Sequence, residues 1–363
     1  MTRRLRIALV GTQGVPNAYG GFETLAEYLV HELADRYDLT VYCSSVDQKN
    51  RPDTYQGAKL SYWPIGSHGA AGMVYDSLTL AHARFTHDVV LFLGFGAGLV
   101  APFIPGLKRR MVLNFGGLDW KRDKWSARAK AVIQLCERWL VSRSAKVVAD
   151  NELIADYVRE QYGLGTEFIA YGGDQAVQRP IDSALLPTYP FLAGRYALAV
   201  ARIQADNNID MLLSGFPETQ GYPLVFIGNW QASDYGRELR KRYDGARHLV
   251  LLDAIYDRQV LDVIRSNCHL YVHGHSAGGT NPSLCEAMYL GLPVAAYASG
   301  YNERTMANHG WFFRNAEELA RIVSGFDAQE GRLVGERLQQ VARERYTWAA
   351  VADGYARLFD SMA

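Results

Sequence analysis

The sequence predicts an α/β protein with two Rossmann-like domains, and three observations support this. Short β-branched runs alternate with helical patterns along the chain, which is typical of parallel sheets covered by helices. A length of 363 residues suits two domains better than one. Three prolines interrupt any regular element between Asp174 and Gly194, so this stretch is the expected linker. We therefore expect an N-terminal domain at residues 1–174 and a C-terminal domain at residues 175–345.

The first half of the chain has a glycine-rich turn between a strand and a helix. The strand Leu5–Val10 ends in GTQGVP, and a helix begins at Gly20 and Gly21, because apolar residues then recur with helical spacing from Phe22 to Leu33. Such a turn can seat an anion on its backbone N–H groups. The other strands predicted in this half are Leu39–Cys43, Lys59–Trp63, Val89–Leu93, Met111–Phe115 and Lys146–Ala149.

The second half repeats the alternation and ends in an amphipathic helix. The predicted strands are Tyr196–Ala201, Leu224–Ile227, His248–Leu252 and Pro293–Tyr297, and helices are expected near Ile209–Phe216, Tyr235–Arg242 and Val260–Ile264. The last helix shows apolar residues at helical spacing from Trp348 to Phe359.

The stretch Tyr271–Met288, which reads YVHGHSAGGTNPSLCEAM, carries the main functional motif. A short apolar strand runs into a loop with glycines, and Thr280 or Asn281 can cap a helix that starts at Pro282. Unpaired N–H groups at that helix start favour an anion such as phosphate. Glu286 follows in the same helix, where a carboxylate suits ribose hydroxyls. An ordinary strand-to-helix turn with Glu286 on a solvated face is the alternative interpretation.

Composition excludes several other classes of protein. The 38 basic and 38 acidic residues give a net charge of zero, which gives no support to wholesale nucleic-acid binding. The four cysteines are far apart and form no CxxC pair, so we expect reduced buried thiols and a cytoplasmic protein. No apolar run is long enough to span a bilayer, so any membrane contact is expected to be peripheral.

The motif Tyr271–Met288 resembles the nucleotide-sugar signature of retaining family 4 glycosyltransferases. The words GTQGVPNAYGGFET, WKRDKW and HGHSAGGTNPSL are similar to one branch, the bacterial rhamnosyltransferase-like enzymes of capsule, O-antigen and cell-wall polysaccharide assembly. The resemblance runs from Ile7 to about Phe359. It implies the GT-B fold, in which two Rossmann-like domains face a central cleft and the C-terminal helix, here 346–363, crosses back to the N-terminal domain.

The resemblance also implies site residues. Arg202, after a strand, is expected to clamp the donor diphosphate, Asp119 and His275 to act at the donor sugar, and Glu23 to lie near the acceptor. The glycine pair of the first turn should face the donor phosphates and acceptor. The expected donor-binding residues are Gly20, Gly21, Arg202, Gly228, Asn229, Ile255, Tyr256, Gly278, Gly279, Thr280, Asn281 and Glu286.

This chain departs from the family pattern at three positions. Gly278 stands where many members have a second glutamate, and Asn207 and Asn208 stand where a lysine is common. No histidine is present at Gly116 or Gly117, where many members have one. His273 and His275 would face the same side of a strand, but no nearby carboxylate completes a metal site, and we expect no cofactor or metal requirement.

Basic residues and tryptophans are concentrated between Lys108 and Lys130. Such a mixture suits anionic headgroups or a lipid diphosphate, and a solvated basic face is the alternative. Nucleic acid is not an expected partner, because no recognised binding module accompanies the charges. The residues expected at this acceptor and membrane surface are Trp120, Lys121, Arg122, Lys124 and Trp125.

The sequence therefore predicts a cytoplasmic glycosyltransferase on the inner face of the plasma membrane. We expect it to transfer L-rhamnose from dTDP-L-rhamnose, with retention, to a lipid-linked saccharide. Two alternatives remain open. One is a UDP-hexose or UDP-HexNAc donor on the same fold, and the other is a nucleotide-binding regulatory protein that has lost catalysis.

Overall fold

The structure is a computed structural model, and it describes residues 3–16, 20–122 and 125–363. The strands of this part of the chain are β1 (Arg6–Val10), β2 (Asp38–Ser44), β3 (Thr54–Tyr55), β4 (Ala58–Trp63), β5 (Val89–Leu93), β6 (Met111–Asn114), β7 (Lys146–Ala149), β8 (Glu167–Phe168), β9 (Ala197–Val200), β10 (Leu224–Ile227), β11 (Leu249–Leu252), β12 (Leu270–His273), β13 (Val294–Tyr297) and β14 (Trp311–Phe313). The α-helices are α1 (Gly21–Leu33), α2 (Gly69–Thr86), α3 (Ala127–Arg143), α4 (Glu152–Tyr162), α5 (Ile209–Gly215), α6 (Asp234–Arg242), α7 (Arg258–Ser266), α8 (Pro282–Tyr289), α9 (Tyr301–Thr305), α10 (Ala316–Ser324), α11 (Ala328–Arg345) and α12 (Trp348–Asp360).

The chain divides into two compact units. Unit 1 contains residues 1–171 together with 348–363, and unit 2 contains residues 172–347. The expected linker packs within unit 2, where the Arg179 N–H donates to Ser266 Oγ at 3.1 Å and Asn267 Nδ2 donates to the Arg179 carbonyl at 2.9 Å. No α-helix or strand is present between Asp174 and Gly194, as predicted, but two 3-10 helices are, Ser183–Leu185 and Pro190–Ala193, and side chains near the end of α7 hold the segment in place.

Unit 1 is built on a sheet whose strands run in the order β3-β4-β2-β1-β5-β6-β7-β8. β3 pairs antiparallel with β4, and the other paired strands of this sheet are parallel. From β1 the chain adds β2 and β4 on one side, and it then crosses back to add β5 on the other side of β1. The strand order therefore reverses between β1 and β5. Ligands of open α/β sheets bind where such a reversal occurs, at the carboxyl ends of the strands.

The C-terminal helix α12 completes the core of unit 1. Trp348 stacks on Tyr28 with ring centroids 4.3 Å apart, and the side chains of Tyr355 and Phe359 are buried. Asn114 Nδ2, at the end of β6, donates to the Tyr355 hydroxyl at 2.6 Å. Burying a large aromatic side chain stabilises a fold by about 2 kcal/mol or more, so α12 is an integral part of unit 1.

Unit 2 is a parallel sheet with strand order β11-β10-β9-β12-β13-β14. Its reversal lies between β9 and β12, so the loops that follow these two strands meet at one edge. The core on one face of the sheet includes Phe226, Trp230 and Phe313. The prediction of two Rossmann-like parallel-sheet domains is therefore confirmed. Within the described residues, no helix combines the length and apolar character needed to cross a membrane.

Candidate active site

The loops that follow β9 and β12, where the strand order of unit 2 reverses, are held together by hydrogen bonds. Ser276 donates to the Asp206 carbonyl twice, from its N–H at 3.0 Å and from its hydroxyl at 2.7 Å. Asn208 Nδ2 donates to the Gly274 carbonyl at 2.8 Å. A Cβ at Gly274 would lie 2.3 Å from the Asn207 carbonyl oxygen, so only glycine permits this approach. The loop after β9 and the loop after β12 thus form one rigid surface.

Arg202 lies in the first of these loops with its side chain exposed. The buried Asn207 donates from Nδ2 to the Arg202 carbonyl at 2.8 Å, which fixes the backbone under the guanidinium. Asn208 has φ +53°, a left-handed conformation that asparagine tolerates better than lysine. The two asparagines that replace the expected lysine therefore shape this loop.

The start of α8 forms the other wall of this surface. Gly278 has φ +112°, and a Cβ there would make only an ordinary contact, with Asn281 Oδ1 at 3.8 Å, so the backbone is not crowded at this point. Asn281 precedes Pro282 but makes no capping hydrogen bond through its side chain. Gly279 and Thr280 are buried behind the loop. Backbone N–H groups and the helix dipole can therefore act on an anion placed near Gly278.

Glu286 lies in α8 with each carboxylate oxygen bonded by another side chain. Arg265 Nη2 donates to Oε2 at 2.8 Å, and Gln175 Nε2 donates to Oε1 at 2.7 Å. The solvated-face interpretation is wrong, because the Glu286 side chain is only 17% exposed. Each carboxylate oxygen has a further lone pair, so Glu286 retains the capacity to accept bonds from two ribose hydroxyls.

Arg265 and Gln175 were missed by the sequence reasoning. Arg265 is in α7 and Gln175 follows the unit boundary, so neither is near Glu286 in the chain. A helix-embedded arginine such as Arg265, within an apolar pattern, is the one signal that could have pointed to a buried partner.

His273 and His275 face the same side of the sheet, as their spacing predicts. Their rings stack with centroids 4.4 Å apart and an interplanar angle of 12°. Burial and the neighbouring His275 hold the pKa of His273 well below its usual value, so His273 is neutral. Asn302 Nδ2 donates to the His275 carbonyl at 2.9 Å, which fixes the half-buried His275 beside the loop. The described residues contain no group of three or more metal-ligating side chains.

The residues predicted to border the base follow β10 and β11. A Cβ at Gly228 would lie 2.6 Å from the Ala201 carbonyl oxygen, so Gly228 packs against the loop that carries Arg202. Asn229 is exposed, Ile255 is half-buried and Tyr256 is 67% exposed. These residues follow β10 and β11, which lie on one side of β9 in the sheet. The loop Gly274–Asn281 follows β12, which lies on the other side of β9.

In unit 1 the glycine-rich turn holds a carboxylate of the protein itself. Glu23 Oε1 accepts from the Gln13 N–H at 3.1 Å and from the Thr12 hydroxyl at 3.2 Å. A Cβ at Gly20 would lie 1.8 Å from Glu23 Oε2, whereas a Cβ at Gly21 would make only an ordinary contact with the Tyr171 hydroxyl at 3.8 Å. Glu23 therefore organises the turn and occupies the place where the sequence predicts a bound anion.

The segment Asp119–Trp125 divides between the interior and the surface. Arg122 Nε pairs with Asp119 Oδ1 at 3.1 Å. The indole nitrogen of Trp120 is buried and its ring tilts against Tyr157, so Trp120 is an anchor inside unit 1. Lys121 and Trp125 are exposed. Lys124 lies outside the described residues.

Comparisons with known proteins agree with the two-part division. Residues 5–174 match the protein-family model described as Domain of unknown function (DUF1972), and residues 192–329 match the protein-family model described as Glycosyl transferases group 1. No curated protein matches the chain.

Solved structures show the same fold at low sequence identity. Sucrose-phosphate synthase from Thermosynechococcus elongatus superposes with a TM-score of 0.82 at 18% identity, over 99% of both chains. HepE from Anabaena in complex with UDP and glucose gives 0.73 at 16% identity, over 98% of this chain and 100% of that one. Trehalose 6-phosphate synthase from Burkholderia multivorans superposes with a TM-score of 0.72 at 10% identity, over 99% of this chain and 97% of that one. The chain therefore has the GT-B fold.

Proposed function

We propose that this chain, whose residues 192–329 form a group 1 glycosyltransferase domain, transfers a sugar from a nucleotide-diphosphate donor. The observation that carries this proposal is the surface formed by the loops that follow β9 and β12. It presents an exposed guanidinium from Arg202, an uncrowded backbone at Gly278 and a fixed carboxylate from Glu286. Those groups suit a diphosphate and a ribose, the two parts that nucleotide-sugar donors share.

The proposed reaction retains the anomeric configuration through a front-face path. The acceptor oxygen forms a bond to the anomeric carbon as the bond from that carbon to the diphosphate breaks. The acceptor proton passes to the departing diphosphate oxygen, so no side chain has to act as nucleophile. Arg202 and the backbone N–H groups near Gly278 stabilise the charge that develops on the diphosphate. The proposal includes no resident cofactor or metal.

For the donor we propose dTDP-L-rhamnose, on the resemblance of HGHSAGGTNPSL to rhamnosyltransferase-like enzymes. A UDP-hexose is the second candidate, since HepE, which has the same fold, was solved with UDP-glucose. The third candidate, a regulatory nucleotide-binding protein, is motivated by Gly278, because its φ of +112° disfavours the glutamate found there in many family members.

For the acceptor we propose a lipid-linked saccharide held by unit 1 at the surface of an anionic membrane. The exposed face of α3 carries Val132 and Leu135, and Phe103 on the neighbouring segment is 81% exposed. Lys121 and Arg128 lie at the same end of unit 1, also exposed. Exposed apolar and basic side chains together favour peripheral binding by burial and charge attraction. We therefore propose that the protein works in the cytoplasm on the inner face of the plasma membrane.

One experiment separates the three candidates. Purified protein is incubated with dTDP-, UDP- and GDP-sugars, and release of the nucleoside diphosphate is followed. Turnover of dTDP-rhamnose above all other donors supports the rhamnosyl proposal, and preference for a UDP-sugar supports the second candidate. Nucleotide binding without any turnover, with vesicles that contain a lipid-linked saccharide added, supports the regulatory protein.

A further inference from the structure

The carboxylate of Asp76 lies at the carboxyl edge of the unit 1 sheet. Asp76 belongs to α2, and a Cβ at Gly96, in the turn after β5, would lie 2.0 Å from its Oδ2 atom. The neighbouring Tyr75 donates from its hydroxyl to the Thr12 carbonyl at 3.1 Å, which ties this part of α2 to the turn after β1. Asp76 is thus fixed between the turns that follow β1 and β5.

This position is the point where the chain reverses direction in the sheet. A Cβ at Gly11 would lie 2.2 Å from the Leu93 carbonyl oxygen, so the ends of β1 and β5 touch. Gly94 and Gly116 both lie against Phe22 of α1. Small residues therefore line the edge at which open α/β sheets bind ligands, and Asp76 lies against one of them, Gly96.

The Asp76 carboxylate makes no hydrogen bond or ion pair with any residue that the structure describes. Burial raises its pKa to about 7. Glu23 and Asp47 act, with Asp76, on the neighbouring Tyr75, and both already accept hydrogen bonds from their own neighbours. The Asp76 side chain is half-buried, so its carboxylate is reachable, and since the described residues give it no donor, a ligand with hydroxyl groups would supply donors there.

We propose that Asp76 binds the acceptor saccharide, by accepting hydrogen bonds from two of its hydroxyl groups. This inference rests on the proposed glycosyl transfer and assigns the acceptor contact within unit 1. An ionised carboxylate is an acceptor only, and sugar hydroxyls are neutral donors, so the match requires no counter-charge. Asp76 is a substrate-binding residue in this proposal, and the proton of the attacking hydroxyl still leaves with the diphosphate.

The test is saccharide binding to the full-length protein by saturation-transfer NMR. The probes are methyl glycosides of glucose, galactose, N-acetylglucosamine and rhamnose, with UDP or dTDP present. We expect at least one glycoside to bind the wild type, about tenfold more tightly at pH 8 than at pH 6 because the carboxylate ionises between them. Asp76→Asn should weaken that binding by roughly tenfold and remove its pH dependence.

A second variant moves the carboxylate without replacing it. Gly96→Ala places a methyl group where Asp76 Oδ2 now lies, and the backbone of Gly96 is outside the left-handed region, so alanine fits the chain conformation. Gly96→Ala should weaken glycoside binding as Asp76→Asn does. Asp35→Asn, the same change at an exposed position of unit 1, is the matched control and should bind like wild type.

Two results would overturn the inference. The first is an Asp76→Asn variant that binds the glycoside as tightly as the wild type does. The second is a wild type that binds no glycoside, or that binds it equally well at pH 6 and pH 8. Calorimetry with UDP and dTDP shows that unit 2 of each variant is folded. Failure of every nucleotide sugar to bind or turn over contradicts the proposed function instead, so the two failures are distinguishable.

Discussion

Arg265 Nη2 donates to Glu286 Oε2 at 2.8 Å, and both side chains are largely buried in unit 2. The pair lies beneath the start of α8, so the carboxylate that we assign to the ribose is also a structural group. Removing either partner leaves a largely buried charge without its shortest ion pair. The role of Glu286 in binding must therefore be separated from its role in folding.

The first prediction concerns this pair. Glu286→Ala should lower the free energy of unfolding by about 3 kcal/mol, because the buried Arg265 then keeps only its longer contact with Asp262 at 3.9 Å. Replacing both partners, as Arg265→Met with Glu286→Leu, should recover much of that loss. Urea denaturation measures all three proteins. A destabilisation by Glu286→Ala of less than about 1 kcal/mol would mean that the pair contributes little.

Glu286→Gln then isolates binding, because glutamine keeps one oxygen acceptor and nearly the same shape. We expect this variant to remain folded while its affinity for the nucleotide falls, since a hydroxyl bonds an ionised acceptor more strongly than a neutral one. Calorimetry with UDP and dTDP provides the measurement, and wild-type affinity would remove Glu286 from the ribose site.

The second prediction concerns the hydrogen bond between the two loops of unit 2. Ser276→Ala removes the hydroxyl that donates to the Asp206 carbonyl at 2.7 Å but keeps the N–H bond. The loss should cost about 1 kcal/mol of stability and weaken nucleotide binding, because the loops that hold Arg202 and Gly278 separate more easily. Ser214→Ala, on the exposed side of α5, is the matched control and should leave nucleotide binding unchanged. Equal nucleotide affinity in both variants would contradict this role for Ser276.

Comparing sequence and structure shows which features the pattern could predict. The alternation of strands and helices predicted both sheets, and most strand ends fell within a residue or two of the observed ones. The short edge strands β3, β8 and β14 were missed, because two or three residues carry no readable period. Helices α2, α3, α4, α9, α10 and α11 were missed as well, and in α2 and α3 exposed apolar residues blur the amphipathic pattern.

The site was predictable only where it is local in the chain. The glycine loop and Arg202 follow strands and Glu286 lies in the helix that comes next, so the motif and its resemblance could propose them as a phosphate or ribose contact. Contacts between distant residues were not predictable, because nothing in the sequence relates Gln175 to Glu286 or Gly96 to Asp76. For Glu23 the motif predicted a contact with the acceptor, but the contact that the structure gives its carboxylate is a hydrogen bond from its own turn, which the sequence did not indicate.

The third prediction concerns the membrane surface. Replacing Lys121, Arg122 and Lys124 with glutamine should weaken binding to anionic vesicles by orders of magnitude, at about 1 kcal/mol for each basic residue. Sedimentation with vesicles of graded anionic lipid content, at low and high salt, measures this, and wild-type binding should weaken as salt screens the charges. The control replaces Arg332, Arg337 and Arg343, which are exposed on α11. If both triple variants sediment like wild type, the basic stretch is a solvated face.

The fourth prediction is a pH dependence of stability at Asp76. Its pKa rises from 3.8 when unfolded to about 7 in the folded protein, so folding takes up a proton between these values. The wild type should therefore lose stability relative to Asp76→Asn as pH rises from 5 to 7, by about 2 kcal/mol, and the difference should level off above pH 7. Urea unfolding at pH 5, 6, 7 and 8 tests this, and a constant difference would show that the Asp76 pKa is not raised.

The central claim is that Arg202 and the loop Gly274–Asn281 bind and stabilise the leaving diphosphate. Its most direct test is kcat/KM for Arg202→Ala with the preferred nucleotide sugar, beside Arg314→Ala as an exposed arginine of the same unit. We expect Arg202→Ala to lose about 100-fold or more, equal to about 3 kcal/mol of transition-state stabilisation, while unfolding like the wild type and while Arg314→Ala keeps full activity. An unchanged kcat/KM in Arg202→Ala would contradict the claim.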